Sequence, residues 1–268
     1  MIAPKLTSSF FERSKKLARK EEESLVEASP NSLAIMTKFE VLSLLKENTN
    51  ERGLKHWEKM GDDTGGLESF GIGLTQLRKL AKQVGRDHDL ALELWESNNH
   101  DVKIISLLID EPKKQTRKQV EKQVEGIQAG YLAHVFSTCD ATLAKSPLAF
   151  EVAVDWMDHK DPNRRQCAYG LIYELSKKPK HKAMTDEFCL GVIERIEKEI
   201  EGEESMVRVA MGGALMGIGK RNKVLNAAAV KLAKVVSPID YDTGDTSCEP
   251  LDVLKHLTSD YLKKKLGI

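Results

Sequence analysis

The chain has 268 residues, 41 basic and 41 acidic side chains, and so a formal net charge of zero. It is 41% hydrophobic and 31% charged, which is a globular balance and excludes a disordered chain. No apolar run approaches the roughly 20 residues that span a bilayer, and a neutral chain cannot coat nucleic acid by charge alone. The four cysteines, Cys139, Cys167, Cys189 and Cys248, form no C-x-x-C pair, so neither a zinc ribbon nor a disulfide scaffold is expected. A reducing, cytoplasmic setting fits.

Residues 1–35 differ from the rest. Phe10, Phe11, Leu17 and Leu25 punctuate a charged stretch that Ala28-Ser29-Pro30-Asn31-Ser32 ends. This is read as an N-terminal extension or extra helix; Glu21-Glu22-Glu23 is unlike the acid-poor composition of a targeting peptide. From residue 36 to residue 268 the periodicity is helical. Val41, Leu42, Leu44 and Leu45 make one apolar face, Leu77, Leu80 and Val84 a second, and Leu90, Leu92, Leu94 and Trp95 a third. Helical spacing continues through Val102, Ile105 and Leu108 after the turn at Asn98-Asn99-His100, and through Cys167, Leu171 and Leu175 after the loop 158–163. Strand signals are scarce. The octapeptide from Arg165 matches that from Arg208 at an offset of 43 residues, with basic, small and apolar positions in step. That offset lies in the roughly 40–47-residue period of paired-helix repeats. The expected fold is all-α, a right-handed superhelical solenoid of HEAT-like repeats.

Charge is distributed unevenly. Lys113–Lys122 carries five bases against one acid, Lys160–Lys182 seven against two, and Lys220–Val236 five against none. In a solenoid such segments can line one face; equally, Lys and Arg collect near helix C-termini because the dipole favours them there. Both readings stand. Met216-Gly-Ile-Gly-Lys-Arg resembles the end of a phosphate loop but has Ala214 where the earlier glycine belongs and Arg221 where Ser or Thr belongs. Gly212, Gly213 and Gly217 instead read as small residues that let a neighbouring helix approach. Gly71-Ile72-Gly73 lacks the preceding strand and third glycine of a dinucleotide fingerprint, and Thr75 reads as a helix cap. No histidine pair has metal-ligand spacing, Cys139 and Cys167 read as core residues, and no metal or cofactor is expected. Asp140 remains, in an apolar helical context with Leu132, Val135, Phe136 and Leu143, where a carboxylate must be paired or functional. Its partner would be Arg164 or Arg165.

Gly71-Ile-Gly-Leu-Thr-Gln-Leu-Arg-Lys-Leu-Ala-Lys, then Asp89-Leu-Ala-Leu-Glu-Leu-Trp-Glu-Ser-Asn-Asn-His, Phe136-Ser-Thr-Cys-Asp140, Asp155-Trp156-Met157 and Arg164-Arg165 occur in the order seen in one family. Over roughly 37–236 the sequence resembles the DNA alkylation repair enzymes, the AlkD-like HEAT-repeat DNA glycosylases. The resemblance implies a hydrolase that binds double-stranded or structured DNA on a concave basic surface and releases cationic N3- or N7-alkylpurines. It places Asp140 as the catalytic acid that stabilises the sugar cation. It places Phe136, Arg164 and Arg165 against DNA; Arg208, at the repeat position of Arg165, and Lys220 and Arg221 of the third basic segment are expected there too. Where the family carries two tryptophans this sequence has Phe136 and Gly213; phenylalanine keeps an aromatic face and glycine has none. Two alternatives stay open: a non-catalytic binder of branched or damaged DNA, and a solenoid scaffold for a protein or RNA partner. A monomer is expected, off the membrane, in the cytoplasm or with the nucleoid of a bacterium.

Overall fold

Most helices start on a side-chain cap that the sequence supplies at the turn. Thr37 and Glu40 close a reciprocal capping box at the first helix, and Asp87, Asn99, Thr116, Asp161, Thr185 and Asn222 each accept a backbone N–H at later ones. The structure, a computed structural model, describes residues 36–127, 130–240 and 249–268. The N-terminal extension and Cys248 lie outside the described residues. In chain order the helices are α1 (Lys38–Glu47), α2 (Glu51–Lys59), α3 (Leu74–Val84), α4 (His88–Trp95), α5 (His100–Ile109), α6 (Arg117–Glu125), α7 (Gly130–Ser137), α8 (Ala149–Met157), α9 (Pro162–Ser176), α10 (Asp186–Glu199), α11 (Ser205–Gly219), α12 (Lys223–Val236), α13 (Val253–Leu257) and α14 (Asp260–Leu266). Among the described residues no strand forms, and only two isolated bridge pairs occur, Glu68 with Asn99 and Ile239 with Leu251.

Every second helix joins a continuous row. α3 packs on α5, α5 on α7, α7 on α9, α9 on α11 and α11 on α13, while α4, α8 and α12 pack beside α5, α9 and α11. This is the stacking of helical pairs that the 43-residue offset predicts, and α9 and α11 are both 15 residues long at that offset. The row is fastened at its C-terminal ends, where a helix leaves carbonyls without intrahelical donors. Asp87 N–H donates to the Ile109 carbonyl at 3.0 Å, and Thr142 N–H to the Leu107 carbonyl at 2.9 Å. Arg86 donates to the Asp110 carbonyl, and Thr142 Oγ1 to the same oxygen at 2.9 Å. Lys178 Nζ reaches the Ala144 carbonyl at 2.7 Å, and Arg221 Nη1 the Ser176 carbonyl at 2.8 Å. The ends of α3, α5, α7, α9 and α11 are thereby tied one to the next.

The small residues expected to permit close approach divide by direction. A Cβ at Gly217 would collide with Ser176 of α9, and one at Gly212 with Ile239, whereas one at Gly213 meets nothing within 4 Å. Thr75 is not the cap of α3: Gly73, in extended backbone, takes that place without a side-chain bond. Gly71 (φ 67°) abuts the backbone of Asn50, Gly53 and Leu54, an approach that only a residue without Cβ allows. Gly170 of α9 faces Ser137 and Thr138, with Ser137 Cβ 2.9 Å from where its own Cβ would lie; exposed Gly191 of α10 has open space. Substitution should therefore have opposite signs at these two helical glycines. Gly170→Val should lose about 2–3 kcal/mol by overpacking, and Gly191→Ala should gain about 0.5–1 kcal/mol, both read from urea midpoints.

Candidate nucleic-acid interface

The C-terminal ends of the row carry cations with little acid among them. Arg78, Lys82, Arg86 and Lys145, with Ala81, Gly85, Leu108 and Asp140, line a cleft of about 430 Å³. Lys178 lies beside Lys145, while farther along Lys177 and Lys265 lie beside Lys220. Burial holds the Lys145 ammonium below the usual lysine range, and Arg86 and Lys178 push it the same way against Asp140 and Glu174. Lys220 is lowered too, by burial first and then by Lys177 and Lys265. The helix dipole offsets part of this repulsion, since each cation sits near the negative end of a helix.

Among the described residues Asp140 is the one carboxylate lining the cleft, and its surroundings differ from expectation. α7 stops at Ser137, and Cys139 (φ 58°) and Asp140 (φ 71°) both take left-handed backbone. This turns Asp140 outward, with its side chain 67% exposed, and its ion partner is Arg78 at 3.2 Å rather than Arg164 or Arg165. Lys145 Nζ donates to its carbonyl at 2.8 Å and Arg78 Nε to the Cys139 carbonyl at 3.3 Å. Cys139 is therefore not a core residue; its sulfur lies 3.2 Å from His134 Nε2, whereas Cys167 is buried.

The other residues singled out in the sequence are not gathered with Asp140. Phe136 is 0% exposed, its ring 6.1 Å from Trp95 and 6.4 Å from Trp156, so it presents no face to a ligand. Arg164, with a side chain 9% exposed, bonds Glu121 at 2.7 Å, Glu125 at 3.2 Å and Asp161 at 3.4 Å. Arg165 grips both carboxylate oxygens of Glu203 at 2.8 Å and the carbonyls of His159 and Lys160 at 2.9 and 2.8 Å. These arginines and Arg208 stand near the N-terminal ends of α9 and α11, about 20 Å from the C-terminal cations by the rise of a 15-residue helix. The segment 160–182 thus spans both ends of α9 and cannot lie along one face. In the segment 113–122, Arg117 pairs with Glu121 and Asp155, both at 2.7 Å, and Lys122 with Glu96. Of the residues expected at DNA, Lys220 and Arg221 lie on the C-terminal row, and Arg221 spends its guanidinium on the carbonyls of Ser176, Lys178 and Met184.

Residues 41–238 match the model of the DNA alkylation repair enzyme family, well over half of the chain. The chain belongs to that family. Two Listeria proteins, uncharacterized protein Lin0241 of Listeria innocua and uncharacterized protein Lmo0209 of Listeria monocytogenes, are 24% and 22% identical to this member over 194 residues, covering 71% of it and 83% of each of them. A solved structure from a family related to the HEAT-like repeat DNA glycosylases, with affinity for branched DNA structures, superposes with a TM-score of 0.73 at 21% identity, covering 87% of this chain and 97% of its own. The fold is accordingly all-α and HEAT-like. Among the described residues no helix is long and apolar enough to cross a membrane, and no three His, Cys, Asp or Glu side chains are placed to hold a metal.

Sequence reasoning missed Arg78, Lys82, Arg86 and Lys145. The available signal was a cation at or just past the ends of α3, α9 and α11, at Lys82 and Arg86, at Lys177 and Lys178, and at Lys220 and Arg221.

The buried pairing of Arg164 has a consequence for stability. Burial pushes the Glu121 carboxyl up, but hydrogen bonds from Arg164, Trp156 and Arg117 more than reverse this and leave it below the ordinary glutamate range. A depressed folded-state pKa stabilises fully above the unfolded value and loses that contribution as pH falls through the folded one. Glu121→Gln should therefore cost about 2 kcal/mol near neutral pH. That is less than the roughly 3–5 kcal/mol of stranding a buried charge, because Glu125 and Asp161 remain on Arg164. The difference from wild type should shrink below about pH 4, measured by urea unfolding at several pH values.

Proposed function

We propose that this chain is a DNA-repair protein that binds the sugar-phosphate backbone of damaged or branched DNA along the cation row at the inner helix ends. The observation that carries this reading is the contrast between the two ends of the helices. Arg117, Arg164 and Arg165 near N-termini are each paired with carboxylates, whereas among the described residues no carboxylate is bonded to Lys82, Arg86, Lys145 or Lys220 on the opposite edge, where Glu174 holds Lys177 and Asp140 holds Arg78. Leaving several part-buried cations side by side costs free energy that a polyanion relieves. Phosphates satisfy the row without any base-specific contact, so recognition would follow DNA shape more than sequence. The kinship of the matching fold with a protein that has affinity for branched DNA supports the same choice.

Base excision is the second reading, and Asp140 on the rim of the cleft favours it. Loss of an alkylated purine leaves an oxocarbenium-like sugar, and a carboxylate beside it lowers that barrier electrostatically. Exposure weakens the effect, because water screens a charge that a dry groove would not, and Arg78 already neutralises the carboxylate. With Phe136 in the core and open space at Gly213, neither position sets an aromatic wall against the sugar. Activity, where present, is expected to be weak and confined to labile cationic lesions such as N7-methylguanine.

Two measurements separate these readings. Lys145→Ala should weaken binding to duplex and branched DNA alike and reduce the slope of log K against log salt by about one ion; unchanged affinity and slope would remove Lys145 from the interface. Asp140→Asn deletes the negative charge in the row, so DNA binding should hold or tighten. If the protein excises bases, release of methylated purines should fall by a factor of about 100 or more in the same samples. Excision untouched by Asp140→Asn would show that another group acts as the acid.

A further inference from the structure

One exposed aromatic side chain stands beside the cation cleft on a prepared support. Tyr131, near the start of α7, is 43% exposed. Its ring lies 6.0 Å from that of His100 and 5.9 Å from that of His134, and His100 in turn lies 4.6 Å from Trp57. The supporting rings are themselves fixed. Trp57 Nε1 donates to the Leu67 carbonyl at 3.0 Å, and the His100 backbone N–H to the Glu68 carbonyl at 2.8 Å. His100 is only 5% exposed and its Nε2 has no hydrogen-bond partner, so it serves here as a packed ring behind Tyr131. The row runs on from His134 to Cys139 at 3.2 Å, and the Cys139 carbonyl accepts from Arg78, which lines the cleft. An exposed, pre-ordered aromatic side chain is thus linked through His134 and Cys139 to Arg78 of the cation cleft.

We propose that Tyr131 is the stacking platform for an unpaired base of the DNA, so that the preferred ligand is a duplex interrupted by a single-stranded segment. The proposal rests on the DNA-binding reading of the cleft. Bases within an intact duplex are stacked on one another and offer no face, whereas a base at a gap or branch offers one to any ring held beside the phosphates. Stacking is tolerant of sequence, because every base has such a face, and it complements a cation row that also reads no sequence. The packing of Tyr131 against His100 and His134 means that little side-chain freedom remains to be lost when a base arrives.

Binding of the full chain to an intact duplex and to the same sequence with a short single-stranded gap, carrying a fluorescent purine analogue in the gap, tests this. Wild type should prefer the gapped DNA and quench the analogue. Tyr131→Ala should lose about tenfold or more on gapped DNA, abolish the quenching and leave duplex affinity nearly unchanged. Tyr131→Phe should behave as wild type, and Tyr131→Leu, which keeps apolar bulk without an aromatic face, should behave as the alanine variant even if the latter folds poorly. A preference and quenching that survive Tyr131→Leu overturn the proposal and leave the cation row intact. Equal losses on both DNAs overturn it as well. Failure of wild type to bind either DNA at low salt removes the DNA-binding reading itself, and the stacking platform with it.

Discussion

The inner helices of this protein end together, and the unsatisfied carbonyls at those ends are the constraint from which much else follows. Each end needs donors from outside the helix, and neighbouring elements of the row supply them: Arg86 to Asp110, Thr142 to Leu107 and Asp110, Lys178 to Ala144, Arg221 to Ser176. Cationic side chains suit this task twice, as donors and as charges opposite a negative dipole end. The helix N-termini have the reverse polarity and favour acids, and Glu121, Glu203 and Asp161 stand there against the arginines. A chain with no net charge is in this way polarised across the thickness of its helix row.

The fold was legible because helical periodicity and capped turns are local. Val41 and Leu45, Leu77 and Leu80, and Cys167 and Leu171 are spaced for a helix face, and all are buried. The 43-residue offset foretold that α9 and α11 would match in length. The interface was harder to read, because counting charge along the chain does not say which end of a helix a residue occupies or what faces it. Arg164 and Lys177 fall in one basic segment and on opposite ends of α9. Two of the three acids around Arg164 come from α6, some 40 residues away in sequence, and nothing local announces them. The family resemblance set Phe136 against DNA with Asp140, yet the end of α7 at Ser137 puts the two in different surroundings: one in the core between Trp95 and Trp156, the other in a left-handed turn.

That turn governs the chemistry available to Asp140. Two consecutive non-glycine residues with positive φ are uncommon, and aspartate tolerates this conformation better than most residues. The backbone there is bound through the Cys139 carbonyl by Arg78 and through the Asp140 carbonyl by Lys145. Two of the cleft's cations therefore build the loop that carries its carboxylate. On the proposed DNA-binding reading, binding and the placement of the acid share the same side chains, so changes to either cation alter both.

The equal length of α9 and α11 gives the molecule a natural unit of measure. At the 43-residue offset Lys177 corresponds to Lys220 and Lys178 to Arg221, so these two repeats deliver a similar pair of cations to the same edge. Neighbouring packed helices stand about 8–10 Å apart, which is close to the rise of three base pairs of duplex at about 3.4 Å each. On the proposed DNA-binding reading, duplicating one such unit within the gene would extend the reach along DNA by roughly three base pairs and preserve the fastening of each helix end to the next. On that reading helix width sets the divisions of a ruler, and the footprint changes in discrete steps with the number of repeats.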